Sequence, residues 1–169
     1  MRVRALETLE EVRKLDGLIG AYIRFVCADL ERAAGVSFDA EFLHETTLKS
    51  LPNVIPPHGQ TFVAEDDDGL VFGMAFLRPS GADAMEIKRL YVTPEARGTG
   101  AGRGLVIAAM KAARETGAAA LRLDTVKNLT AAIALYQTLG FAYRDPYPES
   151  DHFDDELLAP HLVFMEKSL

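Results

Sequence analysis

Gly98, Gly100, Gly102 and Gly104 occupy alternate positions between a strand-like run and a helix-like one in AMEIKRLYVTPEARGTGAGRG. Residue types and spacing of this kind suit anion binding. Glycines leave a ligand unobstructed and accept positive φ, so successive backbone N–H groups can converge on one phosphate. The first N–H groups of the following helix lie at the positive end of its dipole, and Arg97 adds a charge. Two familiar phosphate loops are excluded by spacing. No glycine here is followed by Lys-Ser or Lys-Thr, and from Gly98 or Gly100 the last position of G-x-G-x-x-G falls on Arg103 or Leu105. Taken alone, the run reads equally as a tight strand-to-helix turn.

A second cluster lies downstream. Asn128 to Tyr136 reads as a short amphipathic helix with Asn128 as N-cap and Gly140 as its stop. A single tyrosine at helical spacing is ordinary core material. Its neighbours change the reading. Arg97-x-x-Gly100-x-Gly102, with Val92 and Pro94 upstream, resembles the acetyl-CoA pyrophosphate loop of the GNAT superfamily of N-acyltransferases, and Leu135-Tyr136-x-x-x-Gly140-Phe141 is similar to its second landmark. The match runs over residues 84–145. A subset of the superfamily also carries E-[I/M]-K-R-L-Y-V, an Asp-Thr pair and a Pro-Tyr segment, present here as 86–92, Asp124-Thr125 and Pro146-Tyr147. One departure stands out: the asparagine many relatives place seven residues before the tyrosine is Leu129 here, with Asn128 one position earlier.

The resemblance implies an α/β (α+β) fold, GNAT-like: a mixed, mostly antiparallel twisted sheet of roughly six to seven strands with helices on both faces. It implies a single N-acetyltransferase domain over 1–169, transferring acetyl from acetyl-CoA to a primary amine of a small molecule or peptide by direct attack in a ternary complex. The alternatives are a protein lysine or N-terminal acetyltransferase and a non-catalytic acyl-CoA sensor on the same fold. Cofactor contacts carried over are Leu90, Tyr91 and Val92 for the pantetheine arm, Arg97, Gly98, Thr99, Gly100, Ala101, Gly102 and Arg103 for the diphosphate, and Asn128 and Tyr136 beyond them. In the family the strand before the glycine loop splays from the next one, which frees backbone groups; the N–H of Leu90 would face the oxyanion. Tyr136 is the candidate general acid, since a phenol stays protonated at neutral pH yet can protonate a thiolate. Glu86 is the candidate base, with a salt-bridged strand carboxylate beside Lys88 and Arg89 as the plainer reading.

The elements that must hold these groups follow from periodicity. Thr8 and Glu11 form a capping box ahead of one long helix whose apolar positions run from Val12 to Leu30, bent at Gly17 or Gly20; a second helix covers 39–50. Strands are expected at 60–65, 70–78, 85–92, 119–125, 141–145 and 161–166, and an amphipathic helix at 103–116. The 149–156 loop gathers Glu149, Asp151, Asp154, Asp155 and Glu156, a set that would attract a cationic amine or simply face water.

Composition narrows the remaining classes. The 169 residues, 49% hydrophobic and 25% charged, suit one globular domain, and the net charge of −7 speaks against nucleic acid or an anionic membrane as partner. Cys27 is the sole cysteine, so no intrachain disulfide or Cys-x-x-Cys site exists. His44-Glu45-Thr46-Thr47-Leu48 starts like a zinc-protease helix but lacks its second histidine, and no metal is expected. No apolar window reaches the length of about 18 needed to span a bilayer, so a cytoplasmic address is expected. A homodimer through a strand edge or the first helix is compatible.

Overall fold

A computed structural model describes all of Met1–Leu169. Seven strands, β1 (Arg2–Leu6), β2 (Gln60–Glu65), β3 (Val71–Pro79), β4 (Ala84–Val92), β5 (Ala120–Val126), β6 (Ala142–Arg144) and β7 (Leu162–Ser168), form one sheet in the order β1-β2-β3-β4-β5-β7-β6. Every pairing is antiparallel except β4 with β5. The sheet carries α1 (Leu9–Arg13), α2 (Asp16–Ala34) and α3 (Ala40–Ser50) on one face, and α4 (Ala101–Glu115) and α5 (Thr130–Thr138) on the other.

Strict alternation along the central strands produces these two layers. Phe62, Ala64, Ala75 and Leu77 pack with Leu105, Ala109 and Tyr136, whereas Val63, Met74 and Phe76 pack with Val12, Ile19 and Ile23. The parallel β4–β5 pair needs a crossover, and α4 supplies it, burying Leu105, Val106, Ala109, Met110 and Ala113 on one side.

Three local expectations need correction. The capping box is present, but it opens only the short α1, and the break before α2 falls at Lys14–Leu15 rather than at Gly17 or Gly20. β1 was not expected at all: Arg2 and Arg4 both reach the carboxylate of Glu65, and their charges hide a strand pattern whose partner lies far along the chain. Asn128 does not cap α5, whose N-terminal cap is Leu129 without a side-chain bond.

β4 has two irregularities. Its pairing with β3 passes from Phe76↔Lys88 to Met74↔Tyr91, so one extra residue of β4 is accommodated at a bulge, where Arg89 takes φ 54°. The extra residue resets the alternation: Met85 and Ile87, then Leu90 and Val92, all pack on the α4 side. On the opposite edge, pairing with β5 ends at Ile87↔Leu123. Beyond it the two strands diverge and leave a wedge.

Candidate active site

The glycine loop sits at the mouth of this wedge. Gly98 and Gly100 have φ of 81° and 90°, and a Cβ on either would meet nothing within 4 Å. From Gly98 through Arg103 no backbone N–H donates to an acceptor in the chain; Gly104 is the first of this helix to do so, to Gly100 O at 2.9 Å. The result is a concave run of unpaired donors at the start of a long helix. Thr99 Oγ1 braces the turn by donating to Ala96 O at 2.7 Å. Arg97 reaches Val92 O at 3.4 Å and lies over the Phe25 ring at 4.8 Å, which ties α2 to the loop, while Arg103 is exposed. At Gly102 and Gly104 the missing side chain also serves packing, since a Cβ there would lie 3.4 Å from Leu135 and 3.1 Å from Val3.

Behind the loop lies a mostly apolar cavity walled by β4, β5, α2, α5 and the segment before β7. Leu90 lines it, whereas Tyr91 turns to the other face against Tyr22 and Phe25, and Val92 packs toward α4. All three lie past the end of the β4–β5 ladder. Tyr136 is 4% exposed and also lines the cavity. Burial, reinforced by Tyr22 and Asp124, pushes its phenol well above the usual range, and no hydrogen bond within the protein engages its hydroxyl. The phenol therefore stays protonated at neutral pH, and its hydroxyl is not committed to an acceptor within the protein. Asn128 is exposed at the lip between β5 and α5.

Glu86 occupies different surroundings. It is fully buried, does not line the cavity, and both carboxylate oxygens are engaged: Oε1 accepts from Tyr147 OH at 2.6 Å and Oε2 from Arg78 Nε at 2.8 Å. Lys88 Nζ lies 3.7 Å from Glu86, 2.8 Å from Asp124 and 3.7 Å from Asp151, and Arg78 also bonds Asp151 at 2.9 Å. The geometry fits the ion-paired reading better than a base. Glu86→Gln should lower stability by about 3 kcal/mol, seen as a Tm drop of roughly 6–12 °C, while the acid limb of any pH–rate profile stays in place. A vanished limb at unchanged Tm would restore the base role.

Two groups to which the motifs assign no role share the cavity wall. His152, from the acidic loop, places an enclosed Nδ1 without a hydrogen-bond partner and lies 3.7 Å from Asp155. Burial pulls its pKa below 6.5; Lys88 and Arg89 push the same way, and Asp124 and Asp151 oppose them. Burial also opposes ionisation of Asp124, but Lys88, His152 and Ser150 outweigh it and hold this carboxyl below its ordinary range. The second group is Arg89. Spacing could not single out either one, because what places them is a bulge and a loop closed from distant sequence.

The acetyltransferase (GNAT) family matches residues 24–141. An uncharacterised N-acetyltransferase of Schizosaccharomyces pombe is 39% identical over 93 residues, covering 54% of this chain and 57% of that one, so the chain matches less than two thirds of that relative's length. An IAA acetyltransferase of Azospirillum brasilense is 33% identical over 141 residues, 83% of this chain and 86% of its own. The PaiA N-acetyltransferase of Thermoplasma acidophilum, solved in complex with coenzyme A, shares the fold with a TM-score of 0.70 over 100% of both chains at 18% identity. A family match over more than half of the residues, with a relative aligned over most of its length, establishes that this chain belongs to the acetyltransferase (GNAT) family.

Proposed function

We propose that the protein, as one domain over 1–169, transfers an acetyl group from acetyl-CoA to the primary amine of a small molecule, with both substrates bound together. The observation that carries this reading is the run of unpaired N–H groups from Gly98 to Arg103, set at the mouth of the β4–β5 wedge that leads to Tyr136. Acetyl-CoA supplies an activated acetyl group and a thiolate leaving group. The N–H run, with Arg97 and Arg103 nearby, holds the diphosphate, and Asn128, exposed in the turn before α5, contacts the cofactor beyond it. Backbone groups of Leu90, Tyr91 and Val92 receive the pantetheine arm as an additional strand would be received, and the Leu90 N–H faces the thioester oxygen. Tyr136 donates its proton to the thiolate.

His152 fits the task of taking the amine's proton better than Glu86 does. It lines the cavity with an imidazole that burial keeps neutral, whereas Glu86 is sealed off. Phe38 and Leu43, near and within α3, and Leu158 cover the acceptor side, which favours a small molecule over a peptide lying in an open groove. No helix is long and apolar enough to cross a membrane.

The decisive assay is release of free thiol from acetyl-CoA against a panel of amines. Acceptor-dependent release is expected; tight CoA binding with no release to any amine would leave the sensor reading in its place. With an active acceptor, His152→Gln should lower kcat/KM by about 10²–10³-fold at neutral pH. In the parent protein activity rises with pH as the imidazole loses its proton, at a pH below 6.5. This rise should flatten in the variant, and Asp124 cannot replace it because its carboxyl titrates lower still. An unaltered rise assigns proton removal to water instead.

A further inference from the structure

Arg89 faces this cavity without an anion to answer it. Its Nε is enclosed and lacks a hydrogen-bond partner, although burying a cationic donor unpaired is costly. Its one hydrogen bond goes to Thr47 Oγ1, at a long 3.4 Å, and its guanidinium carbon lies 5.8 Å from the centroid of the Tyr22 ring. The neighbouring cations are satisfied: Lys88 by Asp124, and Arg78 by Glu86 and Asp151. On the cavity wall Asp124 accepts from Lys88 and Ser150, while Asp155 accepts through Oδ1 from the backbone N–H groups of Leu157 and Leu158 and turns Oδ2 toward His152 at 3.7 Å, not toward Arg89.

The backbone under Arg89 gives an independent indication. It is the sole non-glycine residue with positive φ, and it sits at the β4 bulge. Such a conformation costs on the order of 1 kcal/mol or more, and it persists where the surroundings fix a side chain in a required direction. Around it the wall is aliphatic and aromatic: Tyr22, Ile23, Val26, Leu30, Phe38 and Leu43. Of the acidic loop's carboxylates, Glu149 pairs with Arg122 and Asp151 with Arg78 and Lys88, while Asp154 and Glu156 are exposed and lie off the cavity wall.

We infer that the acceptor is an amine on an apolar body that also carries a carboxylate, the carboxylate bonding to Arg89 while the amine points toward Tyr136 and His152. A free apolar amino acid is the simplest molecule of this class. The inference rests on the acetyl-transfer reading above and narrows its substrate. A guanidinium can take a carboxylate through paired N–H donors, a geometry the primary carboxamide of the same skeleton cannot match.

The test compares L-leucine, L-methionine and L-phenylalanine with their primary amides as acceptors, rates being referred to the concentration of neutral amine, and uses calorimetry with CoA as a separate readout. The carboxylates should be preferred by about tenfold or more in kcat/KM. Arg89→Gln should bring this ratio close to one, and Arg89→Lys should keep part of it, each with CoA binding retained. Equal or better use of the amides, a ratio untouched in Arg89→Gln, or transfer to none of these compounds while CoA binds would overturn the inference and leave the acetyl-transfer reading standing. Absence of both CoA binding and thiol release with any amine would overturn the two together.

Discussion

Tyr136→Phe should lower kcat for acetyl transfer by about 10²–10³-fold while Kd for CoA stays within about twofold. The substitution removes one oxygen and little else. The ring remains packed in the core beside Ile133 and Phe141, with its centroid 5.8 Å from the Phe141 ring. Because the hydroxyl has no partner inside the protein, its loss strands no donor or acceptor, and Tm should move by no more than about 2 °C. Burial keeps the phenol protonated through the whole neutral range, so the wild-type rate should show no limb from its ionisation. Single-turnover kinetics with saturating acetyl-CoA separates the chemical step from binding. If kcat survives, the side chain is core and the departing thiolate leaves unassisted or takes its proton from water.

The second large effect concerns Gly100. With φ at 90° and open space where a Cβ would point, Gly100→Ala combines backbone strain of about 1–2 kcal/mol with a methyl group beside the unpaired N–H groups. Kd for CoA should rise by about 10²-fold, since the donors must converge on one anion for any of them to count. Gly117 provides the control: its φ is 81°, it also has nothing within 4 Å, and it lies just past the far end of α4. Gly117→Ala should therefore cost similar stability and leave Kd alone. Titration calorimetry alongside thermal melts distinguishes the two, and parallel losses of affinity in both variants would mean that the loop's shape matters only for folding.

Legibility followed the range over which each feature is encoded. The glycine loop, α4 with its apolar stripe and the Leu135-Tyr136 helix are local patterns, and the structure places them close to where spacing put them. β1 was missed because Arg-Val-Arg-Ala-Leu carries charges that make sense only beside Glu65. The reading of Glu86 as a base came from its place on the strand that reaches the cofactor. Its actual partners, Tyr147 and Arg78, are brought in by the sheet and the chain past β6. The acidic loop looked like one patch of charge, yet folding pairs Glu149 with Arg122, Asp151 with Arg78 and Lys88, and Asp155 with local backbone donors, and leaves Asp154 and Glu156 exposed to water. His152 had no pattern to announce it, and Arg89, although it stands in the E-I-K-R-L-Y-V run, had no spacing that marked it as facing a cavity. One is aimed by a loop and the other by an inserted residue, and neither leaves a periodic trace.

The parting of β4 from β5 after Ile87 and Leu123 has a consequence for durability. Main-chain polar groups along that edge go without a strand neighbour in the free chain, and every ligand that satisfies them is bound by the folded form alone. Resistance to heat and to proteases thus tracks occupancy, rising as the supply of the occupant rises. On the proposed reading, acetyl-CoA seated along this line completes the sheet where the chain itself leaves it open, and the loaded protein should melt higher than the free one.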